Sequence, residues 1–144
     1  MSYVKIWIHL VFTTKNRVSF LTKQNKKDIL KHIVDNALKK EIHIKTINGD
    51  KEHIHCLISL GRDQSIAQVS QLIKGEVSFW INKNRITPFK FAWQDDYFAV
   101  SVSESLVDVV KKYILNQENH HKKKLFTEEV DEFLKKYGFV LIKD

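Results

Sequence analysis

Glu52-His53-Ile54-His55-Cys56-Leu57-Ile58-Ser59-Leu60 places two imidazoles two residues apart in an otherwise apolar run. Successive side chains of a strand point to opposite faces, so His53 and His55 share one face, roughly 6.5–7 Å apart along the backbone. Ile54, Cys56, Ile58 and Leu60 take the other. Two polar rings on a core strand cost free energy unless something on their face coordinates them or hydrogen-bonds to them. The residues alone leave two readings open, a hydrogen-bonded structural pair and two ligands of a metal.

Working outward, residues 3–13 alternate, with Val4, Ile6, Ile8, Leu10 and Phe12 on one face and Lys5, Trp7 and His9 on the other. This pattern predicts a first strand that also carries an imidazole. Thr22 is placed to cap a helix in which Ile29, Leu30, Ile33, Val34, Ala37 and Leu38 follow the 3.6-residue period to about Lys40. Ile42 to Ile47 reads as a second strand. Asn48-Gly49-Asp50 reads as the turn from which the His53 strand returns antiparallel.

Beyond Gly61, Ser65 is a good N-cap for a long helix with Ile66, Val69, Leu72, Ile73, Val77, Trp80 and Ile81 as its buried stripe, ending near Asn84 before Pro88. Phe91-Ala92-Trp93 and Tyr97 to Val102 are strand-like runs around an expected turn at Gln94-Asp95-Asp96. Ser103 or Ser105 starts a third helix through Leu106, Val109, Val110, Tyr113, Ile114 and Gln117. After His120-His121-Lys122-Lys123-Lys124, Thr127 opens a short helix, and the chain closes on the apolar run Phe139 to Ile142.

The order β-α-β-β-α-β predicts an α+β fold, the ferredoxin-like split βαβ sheet, with additional C-terminal helices. Two helices cover one face, and the other carries His9, His53 and His55, with the third helix free to lie over it. Residues 1–144 read as one domain, since 144 residues with no repeat, low-complexity tract or linker are of single-domain size.

Composition narrows the function. With 43% hydrophobic residues, 28% charged residues and one proline, a packed protein is expected. No run approaches ~18 uninterrupted apolar residues and no signal-peptide pattern opens the chain, so a cytoplasmic protein is expected. The single cysteine, Cys56, excludes an internal disulfide and reads as a small buried hydrophobe. Residues 1–51 hold eleven Lys/Arg against four Asp/Glu, whereas residues 52–144 hold thirteen of each, so the whole net charge of +7 comes from the first third. Lys15, Arg17, Lys23, Lys26, Lys27 and Lys31 form a cluster of the sort that attracts a polyanion such as nucleic acid.

On the third helix Tyr113 and Gln117 are four residues apart and so neighbours, in line with Leu106 and Val110. A hydroxyl and a carboxamide that continue a buried stripe need polar partners. Two imidazole nitrogens with the Gln117 oxygen would make a three-ligand site with positions open to substrate oxygens or water, and Tyr113 beside it.

These residues carry a family resemblance. His53-Ile54-His55 has the form His-hydrophobe-His, and Tyr113 with Gln117 has the form of a nucleophilic tyrosine with a metal-binding amide one turn later. Residues 9–15, His-Leu-Val-Phe-Thr-Thr-Lys, residues 71–75, Gln-Leu-Ile-Lys-Gly, residues 93–97, Trp-Gln-Asp-Asp-Tyr, and the block from Tyr113 to His121 extend it over nearly the whole chain. The chain resembles the single-tyrosine HUH transposases of the IS200/IS605 type, including relatives associated with repetitive extragenic palindromes. That resemblance implies a strand transferase on single-stranded DNA with a hairpin at element ends. It implies Mg²⁺ or Mn²⁺ held by His53, His55 and Gln117, a covalent 5′-phosphotyrosine at Tyr113, and a homodimer whose tyrosine helix can complete the partner's site. Imidazole ligands in general favour Zn²⁺, Mn²⁺ or Ni²⁺ over Mg²⁺. Lys15, Arg17, Lys23, Lys26 and Lys27 would hold phosphates, Trp7 would stack on unpaired bases, and His9 would lie behind the ligands or face the DNA. Two rivals remain at this level: a non-catalytic nucleic-acid-binding module, which leaves the histidines, Tyr113 and Gln117 unexplained, and a metal-dependent hydrolytic nuclease using water.

Overall fold

Ile54, Cys56 and Ile58 are each at most 1% exposed, packed with Leu10 and Phe12 of the first strand and with Ile29, Ile33, Ala37, Val69, Ile73, Val77 and Ile81 of two helices. That cluster is the main core, and the alternation in the two strands builds it. The computed structural model describes residues 1–117 together with Glu132 and Lys136. The expected helix at Thr127, the run Phe139 to Ile142, and His120 to Lys124 lie outside the described residues.

The elements run β1 (Ile6–Thr14), α1 (Lys26–Lys39), β2 (His43–Asp50), β3 (His53–Leu60), α2 (Ile66–Lys83), β4 (Trp93–Val102) and α3 (Val107–Leu115). A single 3-10 turn follows β1 at Lys15–Arg17 and another precedes α3 at Glu104–Leu106. Strand order is β2-β3-β1-β4, and every neighbouring pair is antiparallel. This is the expected split βαβ sheet, with α1 and α2 on one face. The third helix covers part of the other, where Trp7, Leu57, Val102, Val107, Val110 and Ile114 form a second, smaller core.

Three local expectations need correction. Asn48, Gly49 and Asp50 are not the turn but the last residues of β2, in register with His55, Ile54 and His53, and Lys51–Glu52 makes the turn. Gly49 is needed there for close approach, because a Cβ would stand 2.5 Å from the His53 carbonyl oxygen. Gln94-Asp95-Asp96 is likewise no turn. These residues lie within a continuous β4 as a bulge, since Phe12 pairs with Tyr97 and Thr14 with Trp93. The Lys74 ammonium of α2 donates to the Gln94 and Asp95 carbonyls at 2.6 and 3.0 Å, satisfying groups the ladder leaves unpaired.

In the third helix, Leu106 and Val109 are 52% and 61% exposed, and Val107, Val110 and Ile114 make the buried stripe. The opening 3-10 turn delays the α-helix to Val107, and packing on Trp7, Leu57 and Val102 sets its rotation. Thr22 caps the turn that leads into α1, as expected: its Oγ1 accepts from the Asn25 amide at 3.2 Å, Asn25 Oδ1 accepts in return from the Thr22 amide at 2.7 Å, and the Lys26 amide donates to the Thr22 carbonyl at 2.9 Å. Ser65 caps α2 as expected, accepting from the Gln68 amide at 3.1 Å. Among the described residues no helix is long and apolar enough to cross a membrane.

Candidate active site

Register places the histidines before any side-chain geometry is considered. Thr13 pairs with His53, Val11 with His55 and His9 with Leu57, so His9 lies diagonally across from His55 on the same face. All three rings are almost wholly excluded from solvent, at 1%, 0% and 2% exposure for His9, His53 and His55. Among the described residues they contact one another, Tyr113 and Gln117.

His55 Nδ1 lies 2.9 Å from His9 Nε2, a hydrogen bond in which one ring donates and the other accepts. Burial pushes the His9 pKa down to about 4, so His9 is neutral at physiological pH and adds no positive charge beside the other two rings. The centroids of His53 and His55 are 5.0 Å apart, nearly perpendicular. His53 Nε2 faces Gln117 Oε1 at 3.3 Å, and the Glu52 carboxylate stands 3.6 Å from His53 Nδ1. Gln117 Oε1 can only accept, so this hydrogen bond carries its proton on His53 Nε2; a cation bound there would require the other tautomer, with the proton on Nδ1 toward Glu52.

The helix completes the site. Gln117, fully buried, donates its amide hydrogens to the Tyr113 carbonyl at 3.2 Å, which turns its oxygen toward His53. The Tyr113 ring meets His55 and His9 edge-on, with centroids at 5.7 and 6.0 Å. Asn48 on β2, opposite His55, donates to the carbonyls of Ile114 and Leu115 at 3.1 Å each and so fastens the end of α3 over the imidazoles. Sequence reasoning missed Asn48, treating it as a turn residue, and gave Glu52 no role. The register with His55 is the signal that would have singled Asn48 out, once β2 is extended to Asp50.

The donor chemistry fits a divalent cation. Two ligand atoms each about 2.1 Å from one ion at a right angle stand about 3 Å apart, close to the 3.3 Å between His53 Nε2 and Gln117 Oε1. Among the described residues no group of three or more His, Cys, Asp or Glu side chains is placed to hold a metal. Among the described residues Gln117 Oε1 is the side-chain oxygen that faces His53 Nε2, and His9 lies against His55.

The basic residues are at the same end of the sheet. Lys15 and Arg17 directly follow the end of β1 beside His53, and the loop is tied to the β2–β3 turn by Thr14 N to Glu52 O at 2.8 Å and Leu21 N to Lys51 O at 2.9 Å. Lys15, Arg17, Lys23 and Lys27 are exposed. Lys26 donates to the Gly49 carbonyl at 3.1 Å, and Lys31 pairs with Asp35 on its own helix at 3.4 Å. Trp7 is a correction. It is 8% exposed in the smaller core, its indole N–H hydrogen-bonded to Glu104 and its ring covered by the Lys45 ammonium at 5.5 Å, so it presents no open face to a base. Cys56 is fully buried, which pushes its thiol pKa up and makes it the expected inert hydrophobe.

Comparison with known proteins adds four findings. A crystal structure of a protein of Deinococcus radiodurans R1 classed as a transposase superposes with a TM-score of 0.63 at 22% identity, covering 81% of this chain and 95% of that one. A REP-associated tyrosine transposase bound to a REP hairpin superposes with a TM-score of 0.64 at 18% identity, covering 84% of this chain and 72% of that one. At such identities these likenesses establish the shared fold. None of the curated proteins matches the chain. The family model described as "Transposase IS200 like" matches residues 2–117, which span every strand and helix described above, and the chain belongs to that family.

Proposed function

We propose that this transposase-family protein cleaves and rejoins single-stranded DNA at hairpin-containing ends, with Tyr113 as nucleophile and His53, His55 and Gln117 as ligands of Mg²⁺ or Mn²⁺. The observation that carries the reading is the 3.3 Å approach of His53 Nε2 and Gln117 Oε1, one helical turn from a tyrosine packed on His55. A structural histidine pair would need neither the amide nor the tyrosine.

The chain's own groups have defined tasks. His53 and His55 hold two imidazole nitrogens in fixed orientation, set by Glu52 on one ring and His9 on the other. Gln117, bonded to the Tyr113 carbonyl and facing His53, would hold Tyr113 in place relative to the scissile phosphate. When bound, the cation offsets charge on the phosphate oxygens and lowers the cost of deprotonating a phenol whose ordinary pKa is about 10. Tyr113 Oη attacks phosphorus, an O–P bond forms, the bond to the 3′ oxygen breaks and a 3′-hydroxyl leaves with a proton. The 5′-phosphotyrosine conserves bond energy, so a second 3′-hydroxyl reverses the exchange without ATP. Lys15, Arg17, Lys23 and Lys27, all exposed, would neutralise backbone phosphates as the strand enters.

The reading includes a homodimer. Leu106, Val109 and Leu115 leave an apolar outer surface on α3, and exchange of α3 between two copies would preserve every contact made here with the histidines. In that arrangement one protomer's Tyr113 serves the other's metal ligands.

Labelled single-stranded hairpin DNA from the flanks of the gene, incubated with Mg²⁺ or Mn²⁺ and run on a denaturing gel, tests the chemistry. A protein-linked band that disappears in Tyr113→Phe supports it. Cleavage that survives this change would mark a hydrolytic nuclease, and binding without cleavage a non-catalytic module.

A further inference from the structure

A cavity of about 470 Å³ lies on the histidine face, between the second half of β1 and the bulge of β4. Val11, part of its floor, pairs with His55 on one side and with Phe98 on the other. At about 5 Å per strand, the cavity starts one strand from His55 and extends two strands away. Among the described residues its rim carries Asn16, Arg17, Gln94 and Asp96.

The cavity is built, not incidental. The bulge that turns Gln94 and Asp96 to its edge is held by the Lys74 ammonium on the Gln94 and Asp95 carbonyls. Opposite it, Asn16 and Arg17 both adopt left-handed backbone, φ 56° and 55°. A bulky side chain such as arginine takes that conformation only when surroundings enforce it. Here the enforcement is visible: Thr14 Oγ1 donates to the Val18 carbonyl at 2.7 Å, the Lys15 amide to the Ala92 carbonyl at 2.9 Å, and the Asn16 amide to Gln94 Oε1 at 3.4 Å.

Its chemistry is divided. Val11 and Phe98 give an apolar floor suited to the face of a flat ring. Arg17 is cationic and suits a phosphate. Asp96 repels phosphate and can only accept hydrogen bonds, so whatever meets it must present donors. A nucleotide has this distribution, with phosphate at one end and base edge at the other. Among the four bases, guanine alone offers two adjacent donors, N1–H and N2–H₂, to match the two oxygens of a carboxylate. Adenine and cytosine offer a donor beside an acceptor, and thymine a donor flanked by acceptors.

We propose that this cavity takes one unpaired guanine of the bound strand, its edge on Asp96 and its phosphate toward Arg17, and so sets which nucleotide lies next to the cleavage site. The inference rests on the reading that this face acts on single-stranded DNA.

The test needs neither metal nor cleavage. Fluorescence anisotropy is measured on single strands of about eight nucleotides, all thymine or with one central guanine, adenine or cytosine. The guanine strand is expected to bind about tenfold more tightly than the other three. Asp96→Asn, which replaces one acceptor by a donor, collapses that preference, and Arg17→Ala weakens all four strands together, with thermal melts confirming that both variants fold. Four strands bound alike, or a guanine preference that survives Asp96→Asn, overturns the inference while leaving the DNA reading intact. Absence of binding to any strand overturns both. Free dGMP competing as well as the guanine strand itself would mark a site for a free nucleotide and would also overturn it.

Discussion

His53 Nε2 and Gln117 Oε1 face each other at 3.3 Å across the gap between sheet and helix, although 64 residues separate them in the chain. This contact joins the imidazole pair to the helix that carries Tyr113. Gln117→Ala, two residues beyond the end of α3, removes a donor atom and the tether together, while α3 keeps its apolar packing. Metal-dependent cleavage is expected to fall at least about 10–100-fold, with Mn²⁺ affinity by calorimetry falling in parallel and single-strand binding in chelator unchanged. Cleavage that falls with Mn²⁺ affinity intact would remove Gln117 from the ligand set.

Tyr113→Phe separates chemistry from structure. The ring is half-buried against the smaller core and meets His9 and His55 through its edge, contacts that phenylalanine retains. Stability is expected to change by less than about 1 kcal/mol, while the covalent protein–DNA species disappears entirely. A thermal melt beside the denaturing gel checks both halves of the statement.

His9 is predicted to act through His55. Its Nε2 lies 2.9 Å from His55 Nδ1, the placement that fixes ring orientation in metal-binding histidines. His9→Ala leaves His55 without that partner and is expected to weaken Mn²⁺ binding about 10–100-fold. His9→Gln, which keeps a hydrogen-bonding atom near the same position, should recover part of the loss. Equal loss in both variants would assign His9 a packing role only.

Much of this was legible from one-dimensional pattern. Period-two alternation located β1 and β3 and assigned His9, His53 and His55 to one face, because strand geometry leaves no other choice. The 3.6-residue period and Ser65 located α2. What the pattern could not carry was anything decided by contact. The rotation of α3 is set by Trp7, Leu57 and Val102, none of them its sequence neighbours, so Val107 is buried and Leu106 is not. Asn48-Gly49-Asp50 has turn composition yet stays in the ladder, since Gly49 admits the His53 carbonyl and Asn48 is used by α3. Gln94 to Asp96 stays in β4 because Lys74, twenty residues away, satisfies its carbonyls. Trp7, alternating with exposed positions in the sequence, is buried because α3 covers that face.

Glu104 gives the fold a pH dependence with a definite sign. Hydrogen bonds from Lys5 first, and then from the Trp7 indole, hold its carboxyl below the usual carboxylate range. A depressed folded-state pKa stabilises above the unfolded value, and the contribution is lost as pH falls through the folded value. Glu104→Gln is therefore expected to lower the melting temperature at neutral pH. The difference from the parent should close as pH drops below the carboxylate range. A difference that persists in acid would mean that the carboxylate charge is not what holds Trp7 and the start of α3.

Among the described residues, the two glycines inside regular elements should respond to alanine with opposite signs. At Gly49 a Cβ would stand 2.5 Å from the His53 carbonyl oxygen and 3.1 Å from Ile54 Cγ1, and backbone cannot yield as a flexible side chain can. Gly49→Ala is expected to cost about 1–3 kcal/mol and, because the strain falls on His53 itself, to depress Mn²⁺ affinity as well. Gly75 lies inside α2 where a Cβ would meet nothing within 4 Å. Alanine there removes backbone freedom from the unfolded chain and suits the helix, a gain of about 0.5–1 kcal/mol. Paired denaturant melts measure both. A loss at Gly75 comparable to that at Gly49 would show that the glycine in α2 is kept for close approach of another group, since nothing among the described residues requires it.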